Sequence, residues 1–357
     1  MKNRNLYLCF TLLVTFFGCG KDVWVFDSPV NDNIEPPLLL TINKKPCALD
    51  IRTKTFRYPI EEKKVSNFKA LVRFKNYSSL KFNGINLENG VMNNFGSIEV
   101  NTPYELEFTT RGEKNVFTLY FTTIPTVQII TQEIINNEPK VFARLLVNYN
   151  ETNIPTVNSI IGIELRGISS LKFPKKSMGF KVLQTFDKKS KKSLSFFDKK
   201  SNDSWVLDAL YIDEAKARNK TSLKLWQTLP DDVEHLATTC EYVEVFLNYE
   251  SLGLYAFCEK LNSKFLSLNP ESVLVTGKLN NVHTYFKEMP ATIPTGPLWA
   301  GWEQKYPKEE NGNDWKSFEA FVSLVTECSD QEFVDQIHNH INIDNFIDYF
   351  LYVNILK

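Results

Sequence analysis

Hydrophobic and polar positions alternate with a period of two along much of the first third of the chain. The clearest alternating stretches, each typical of a half-buried strand, are 70–74, 104–108 and 116–121. Turn-forming residues such as Asn83-Gly84 separate them at short intervals. The pattern therefore predicts an all-β sandwich over residues 38–123, with a role in spacing or docking.

The pattern changes after Ile124-Pro125, where strand-like stretches begin to alternate with longer helical ones. Strands are predicted at 127–130, 141–147 and 160–166, and a hairpin pairs 243–247 with 252–257. Together with the first third, this predicts an α+β fold, with a second domain over residues 124–357.

Helical spacing of apolar residues predicts helices at 214–229, 315–325 and 343–351. In the first helix, Ala215, Leu225, Trp226 and Leu229 are expected on the buried side. In the second helix, the expected buried residues are Trp315, Phe318, Phe321, Val322 and Val325. Ser329 and Glu332 have the spacing of a capping box at the start of a further helix.

The chain begins with a targeting pattern. Lys2 and Arg4 precede the apolar stretch Leu6–Phe17, which is too short to span a bilayer. Gly18-Cys19 resembles a bacterial lipobox, which implies lipidation of Cys19; the alternative is a plain secretory signal. We expect a signal peptide at 1–18, a lipid anchor and tether at 19–37, and an exported, membrane-anchored lipoprotein of the outer membrane or cell surface.

Composition narrows the function. The 357 residues carry a formal net charge of −1, which argues against a dedicated nucleic-acid binder. Only four histidines are present, so a His-rich metal centre is not expected. The cysteines beyond the signal lack CxxC spacing, and Cys47 and Cys328 are expected to be free buried thiols.

Cys240 and Cys258 lie on the two strands of the predicted hairpin. A turn centred between Tyr249 and Glu250 places Glu259 opposite Cys240, so Cys258 is one register step away. Residues one step apart face opposite sides of a sheet, and only a bulge or a longer turn brings the two cysteines together. The sequence pattern is therefore compatible with a disulfide between Cys240 and Cys258 and also with two free thiols.

Basic residues cluster in one part of the second domain. Arg166-Gly167 and the serines that follow form a small-residue turn, and ten lysines lie between Lys172 and Lys200. Such a segment can attract an anionic substrate or a nucleotide, or it can be a solvated lysine-rich loop.

Several pieces of this region, in order, resemble the CotH kinase family of atypical protein kinases related to spore-coat protein H. The pieces are Arg166–Ser170, Phe173–Ser177, Asp203–Leu207, Tyr211–Asn219, Val243–Lys260, Gly301–Pro307 and Ile343–Phe350. The resemblance extends over roughly residues 124–357. It implies a distant protein-kinase-like fold that transfers the γ-phosphate of ATP to hydroxyl groups of exported or surface proteins.

The resemblance also implies ATP and Mg²⁺ or Mn²⁺ as cofactors. Lys176 or Lys181 is expected to contact phosphate, and Arg166 is a second phosphate contact. Glu259 is expected to orient a lysine, while Arg218 and Asn219 stabilise the lobe or the nucleotide.

The resemblance implies that the acidic residues that bind metal and act as the catalytic base follow the helix that matches 343–350. Because this chain ends at Lys357, we expect a fragment whose catalytic residues lie beyond Lys357 and which does not itself transfer phosphate. No metal ligand is assigned within the chain. The alternative function, from another class, is a non-catalytic surface-binding or adhesion protein on a kinase-like fold.

Overall fold

The computed structural model describes residues 6–7, 38–110, 112–187, 189–229, 234–277, 286, 289, 292–308 and 312–356. The predicted signal segment and tether, including Cys19, lie outside these residues apart from Leu6–Tyr7, which forms strand β1. None of the helices in the described ranges has the length and apolar character needed to cross a membrane.

Ten strands form two sheets in the region predicted as a sandwich. They are β2 (Leu39–Ile42), β3 (Lys45–Pro46), β4 (Ala48–Asp50), β5 (Thr55–Pro59), β6 (Lys64–Lys75), β7 (Ser79–Phe82), β8 (Ile85–Leu87), β9 (Met92–Glu99), β10 (Tyr104–Thr110) and β11 (Glu113–Thr122). One sheet has the order β3-β2-β6-β9 and the other β4-β5-β11-β10-β7-β8. The alternation predicted in β10 is present, because Tyr104, Leu106 and Phe108 are buried in an aromatic-rich core.

Seven further strands close into a barrel. They are β12 (Thr126–Ile130), β13 (Val141–Asn148), β14 (Val157–Arg166), β15 (Ser177–Leu183), β16 (Ser204–Asp208), β17 (Cys240–Leu247) and β18 (Glu250–Glu259). Alternate residues fill the interior, where Phe180 pairs with Trp205 across β15 and β16 and Phe257 packs against both. The intervening residues of each strand therefore lie on the outer face.

The sandwich and the barrel share one compact unit and are joined by specific polar contacts. Lys45 is buried, and its Nζ donates hydrogen bonds to the carbonyl oxygens of Tyr149 at 3.0 Å and Glu151 at 2.6 Å. Asn148 Nδ2 donates to the carbonyl of Pro46 at 2.7 Å. The sandwich is thus bonded to the end of β13.

Replacing Lys45 by Met is expected to destabilise this unit by about 1–3 kcal/mol, because two carbonyl groups lose their donor. Burial already lowers the pKa of Lys45, with Glu151 opposing the shift, so the ammonium is held there by its acceptors. Urea unfolding of the two proteins measures the difference. The neighbouring Lys44 is exposed, and Lys44→Met is the matched control, expected to change little; equal losses in both variants would contradict this role for Lys45.

The hairpin of β17 and β18 resolves the two alternatives for its cysteines. The register shifts between Val245 and Phe246, and this irregularity sets Cys240 directly opposite Cys258, to which it is disulfide-bonded. The bulge that the sequence pattern required is therefore present, and the simple register, which paired Cys240 with Glu259, is wrong. Cys47 and Cys328 are free, as predicted; Cys47 is buried, whereas Cys328 is partly exposed.

The described parts of 215–239 and of 259–357 belong to a second compact unit, together with β1. It contains strands β19 (Val273–Gly277), β20 (Leu298–Trp299) and β21 (Trp302–Tyr306), and helices α1 (Arg218–Gln227), α2 (Lys316–Glu327), α3 (Asp330–Gln336) and α4 (Ile343–Ile355). The sheet order is β1-β19-β21-β20. Trp299, Trp315 and Phe318 form part of its core.

The helix predictions are correct in part. The capping box of Ser329 and Glu332 at α3 is confirmed. Helix α1 begins at Arg218, four residues after the predicted start; Trp226 is buried, but Leu225 is 45% exposed. Val325 of α2, also predicted to be buried, is 37% exposed.

Candidate functional site

The outer face of β14, β15 and β16 carries two of the predicted phosphate contacts, Arg166 and Lys181, together with polar residues beside them. We call it the strand face, and its members are Gly162, Glu164, Arg166, Ser177, Gly179, Lys181, Ser204, Val206 and Asp208. These positions are neighbours because the three strands are antiparallel and each presents every second residue outward. Lys181 lies between Gly162 and Ser204 in the strand register.

Arg166 ends β14 and is surrounded by carboxylates. Burial lowers the pKa of its guanidinium to about 10, and the charges of Asp208 and Glu164 oppose that shift. Glu164 also forms a 2.6 Å ion pair with the buried Lys140. Gly179 lies under the side chain of Arg166, since a Cβ there would be 3.6 Å from Arg166 Cδ. Arg166 is therefore held in one place by charge and by packing.

Asp208 was not singled out from the sequence, and Ser177 was part of a family piece without an assigned role. Ser177 Oγ donates to Asp208 Oδ1 at 3.2 Å and accepts from the backbone N–H of Ala209 at 3.0 Å. The available signal was strand alternation: Asp208 is two residues beyond Val206 on the same face, and Ser177 is the register partner of Arg166.

Lys176 stands just before β15, and its ammonium group is directed into the preceding turn. Its Nζ donates to the carbonyl of Leu171 at 2.5 Å and also to that of Phe173. The carbonyl of Lys176 accepts from Tyr255 Oη at 3.1 Å. These contacts give Lys176 a role in shaping the turn.

Lys181 has a different setting. It is only 8% exposed, on a strand whose alternate residues Phe180 and Val182 point into the barrel core. A buried ammonium group requires acceptors or an anion close by, because losing water disfavours its charge. Gly162 and Gly179, which have no side chains, are its neighbours on the strand face.

The turn between β14 and β15 depends on glycine at position 167. Gly167 has φ +123°, and a Cβ there would be 1.8 Å from Ser170 Oγ, at the start of a one-turn 3-10 helix, Ser169–Lys172. The backbone conformation disfavours a side chain, and the Ser170 side chain would have to move to admit a Cβ. This explains the Arg-Gly-x-Ser-Ser spacing in local structural terms.

Gly167→Ala is expected to lower the free energy of unfolding by about 1–3 kcal/mol, because the alanine is strained and collides with Ser170. Chemical denaturation checks this. Gly112→Ala is the matched control, since Gly112 has φ +84° and open space around its Cβ position. A loss in Gly167→Ala no greater than in Gly112→Ala would show that the contact with Ser170 is unimportant.

The other predicted residues belong to the second unit. Arg218 and Asn219 begin α1, and Ser222 Oγ donates to the carbonyl of Asn219 at 3.2 Å. Glu259 is buried, and its Oε2 accepts from both the N–H and the hydroxyl of Thr239 at 3.1 Å. Arg166, Lys176 and Lys181 are thus brought together on one hairpin, and Arg218, Asn219 and Glu259 lie in a different unit.

Among the described residues, no group of three His, Cys, Asp or Glu side chains is arranged to hold a metal ion. No residue is therefore assigned to the divalent metal that the family resemblance implies. For the phosphates of ATP, the fitting groups are the cations of the strand face, Lys181 and Arg166.

Two comparisons with known proteins bear on the site. A search of curated proteins finds no significant match to the chain. A family model described as "CotH kinase protein" matches residues 163–357. The match begins inside β14, includes the strand face from Ile163 onwards, and spans more than half of the sequence. The chain belongs to the CotH kinase family.

Proposed function

We propose that this chain binds ATP as part of a CotH-type protein kinase that transfers the γ-phosphate to hydroxyl groups of exported proteins. The observation that carries the proposal is the family match, which contains both Lys181 and the turn after Arg166. Family membership supports kinase-like chemistry, and the cations of the strand face supply charge for a polyphosphate ligand.

Lys181 is the proposed phosphate-contacting lysine. It is preferred to Lys176 because it lies on the strand face, in register with Gly162 and Ser204, whereas Lys176 Nζ is directed into the turn towards the carbonyls of Leu171 and Phe173. Arg166 is the proposed second cation, and Asp208 with Glu164 keeps its guanidinium in position.

Bound ATP supplies the phosphoryl group. The residues of this chain bind and orient it: Lys181 and Arg166, on the same face of the β14–β15 hairpin, offset negative charge on the phosphates. Arg218, Asn219 and Glu259 remain proposed contributors to the lobe or the nucleotide. No step is assigned to a metal or a base.

The anchoring proposal is separate from the chemistry. The basic start, the apolar stretch and Gly18-Cys19 support export and lipidation at Cys19. Metabolic labelling with a fatty-acid analogue should mark the wild-type protein but not Cys19→Ala; equal labelling of both would rule out lipidation at this residue.

Titration with a fluorescent ATP analogue, without metal and then with Mg²⁺ or Mn²⁺, tests the nucleotide proposal. Saturable binding that unlabelled ATP reverses is expected. Absence of such binding under all three conditions, by a protein shown to be folded, would contradict the proposal and favour the non-catalytic surface-binding alternative.

A further inference from the structure

The connection between β15 and β16, residues 184–203, is rich in lysine. It contains six lysines and three aspartates, whereas the whole chain has a formal net charge of −1. The lysines are Lys188, Lys189, Lys191, Lys192, Lys199 and Lys200, of which Lys188 lies outside the described residues. We call this connection the lysine loop.

The lysine loop is folded against the barrel. Gln184 N–H donates to the carbonyl of Ser190 at 2.6 Å, and Leu194 and Asn202 exchange two backbone hydrogen bonds at 3.0 Å. Phe196 is fully buried in the barrel core, with its ring centroid 5.0 Å from that of Trp205. The backbone that carries the lysines is therefore already ordered in the folded barrel. A partner that binds it does not have to order this backbone, so the entropic cost of binding is lower.

Four of the five described lysines of the loop are exposed, whereas its large apolar side chains are not. Lys189, Lys191, Lys192 and Lys200 are exposed, and Lys199 is near Glu241, with an N–O distance of 3.8 Å. Phe186 instead packs on Phe142. In the described part of the loop no large apolar side chain is exposed.

The exposed side chains of the lysine loop favour some classes of anionic partner over others. Proteins that bind at a lipid surface usually combine basic residues with apolar side chains that enter the acyl boundary, and binding of single-stranded nucleic acid uses exposed aromatic rings for stacking. The described part of the lysine loop presents ammonium groups and serine hydroxyls, so it is best matched by a polar chain of carboxylates.

We propose that the lysine loop is a docking surface for an acidic segment of a polypeptide, rich in Asp and Glu. The interaction is electrostatic, so it speeds association and weakens as salt screens the charges. It requires neither nucleotide nor phosphoryl transfer, and it therefore stands or falls independently of the function proposed above.

Fluorescence anisotropy with a labelled oligo-glutamate peptide tests the proposal on the full chain. The variant Lys189→Gln/Lys192→Gln/Lys200→Gln is expected to bind about tenfold more weakly than wild type at low salt, since each exposed pair contributes little and three are removed. Lys63→Gln/Lys69→Gln/Lys224→Gln is the matched control, because it removes three exposed lysines elsewhere and is expected to bind as wild type does. A labelled oligo-glutamine peptide should not bind.

Three results would overturn the proposal. Equal weakening in both triple variants would assign binding to overall charge, and binding unaffected in the lysine-loop variant would place it elsewhere. Tighter binding to vesicles of phosphatidylglycerol and phosphatidylcholine than to the peptide, lost in the same variant, would make the loop a membrane-surface contact.

Discussion

Replacing Lys181 by Met is expected to weaken ATP binding by about 10- to 100-fold, because a hydrogen bond to a charged group contributes about 1.5–3 kcal/mol. Met retains most of the side-chain length and suits the buried position, where Lys181 is 8% exposed. The affinity is compared without denaturant, at a temperature where the variant is folded, so that a loss of binding is separated from a loss of stability. Titration with the fluorescent ATP analogue gives the affinity, and urea unfolding gives the stability.

Lys176→Met provides the matched comparison. It removes the donor to the carbonyls of Leu171 and Phe173, so we expect reduced stability of the turn and a smaller change in affinity for ATP. If Lys176→Met abolished nucleotide binding and Lys181→Met left it intact, the two assignments would have to be exchanged.

The second large effect concerns the disulfide between Cys240 and Cys258. Replacing both cysteines by Ala is expected to lower the free energy of unfolding by about 3 kcal/mol, because the bond closes a loop of about 18 residues in the unfolded chain. Both cysteines are buried, Cys240 on β17 and Cys258 on β18, so replacing them by Ala also removes some packing contacts. Urea unfolding without reductant measures the loss.

Reduction supplies a check within the same protein. A reducing agent should bring the wild-type unfolding midpoint close to that of the double variant and leave the variant unchanged. Cys328→Ala, which removes a partly exposed free thiol, is the control. If the reductant had no effect on wild type, and non-reducing peptide mapping found two free thiols, the bridge would be refuted.

Sequence patterns predicted some of the strands of this fold, because a strand with one buried face alternates apolar and polar residues. The alternating stretch of β10 lies where predicted, and the stretches 70–74 and 116–121 fall within β6 and β11. The register of β17 with β18 could not be predicted, since a one-residue irregularity at Val245 and Phe246 leaves no mark in a hydrophobic pattern.

The helices and the candidate site were also predicted only in part. Periodicity predicted α1 but not its start at Arg218, and it placed Leu225 on the buried side although burial depends on what packs there. Motif order brought attention to Arg166, Lys176 and Lys181. Motif order could not show that Lys176 donates hydrogen bonds within the turn whereas Lys181 lies on the strand face, because that difference depends on the direction of each side chain.

The central claim is that ATP binds at the strand face with its phosphates near Lys181. An acyl-phosphate derivative of ATP tests it most directly, since a lysine amine beside the phosphates takes the acyl group and ATP leaves. Peptide mapping should find Lys181 labelled, with the label suppressed by excess ATP and absent from Lys181→Met. ATP-suppressible labelling confined to lysines outside the strand face, with Lys181 unmodified, would contradict the account.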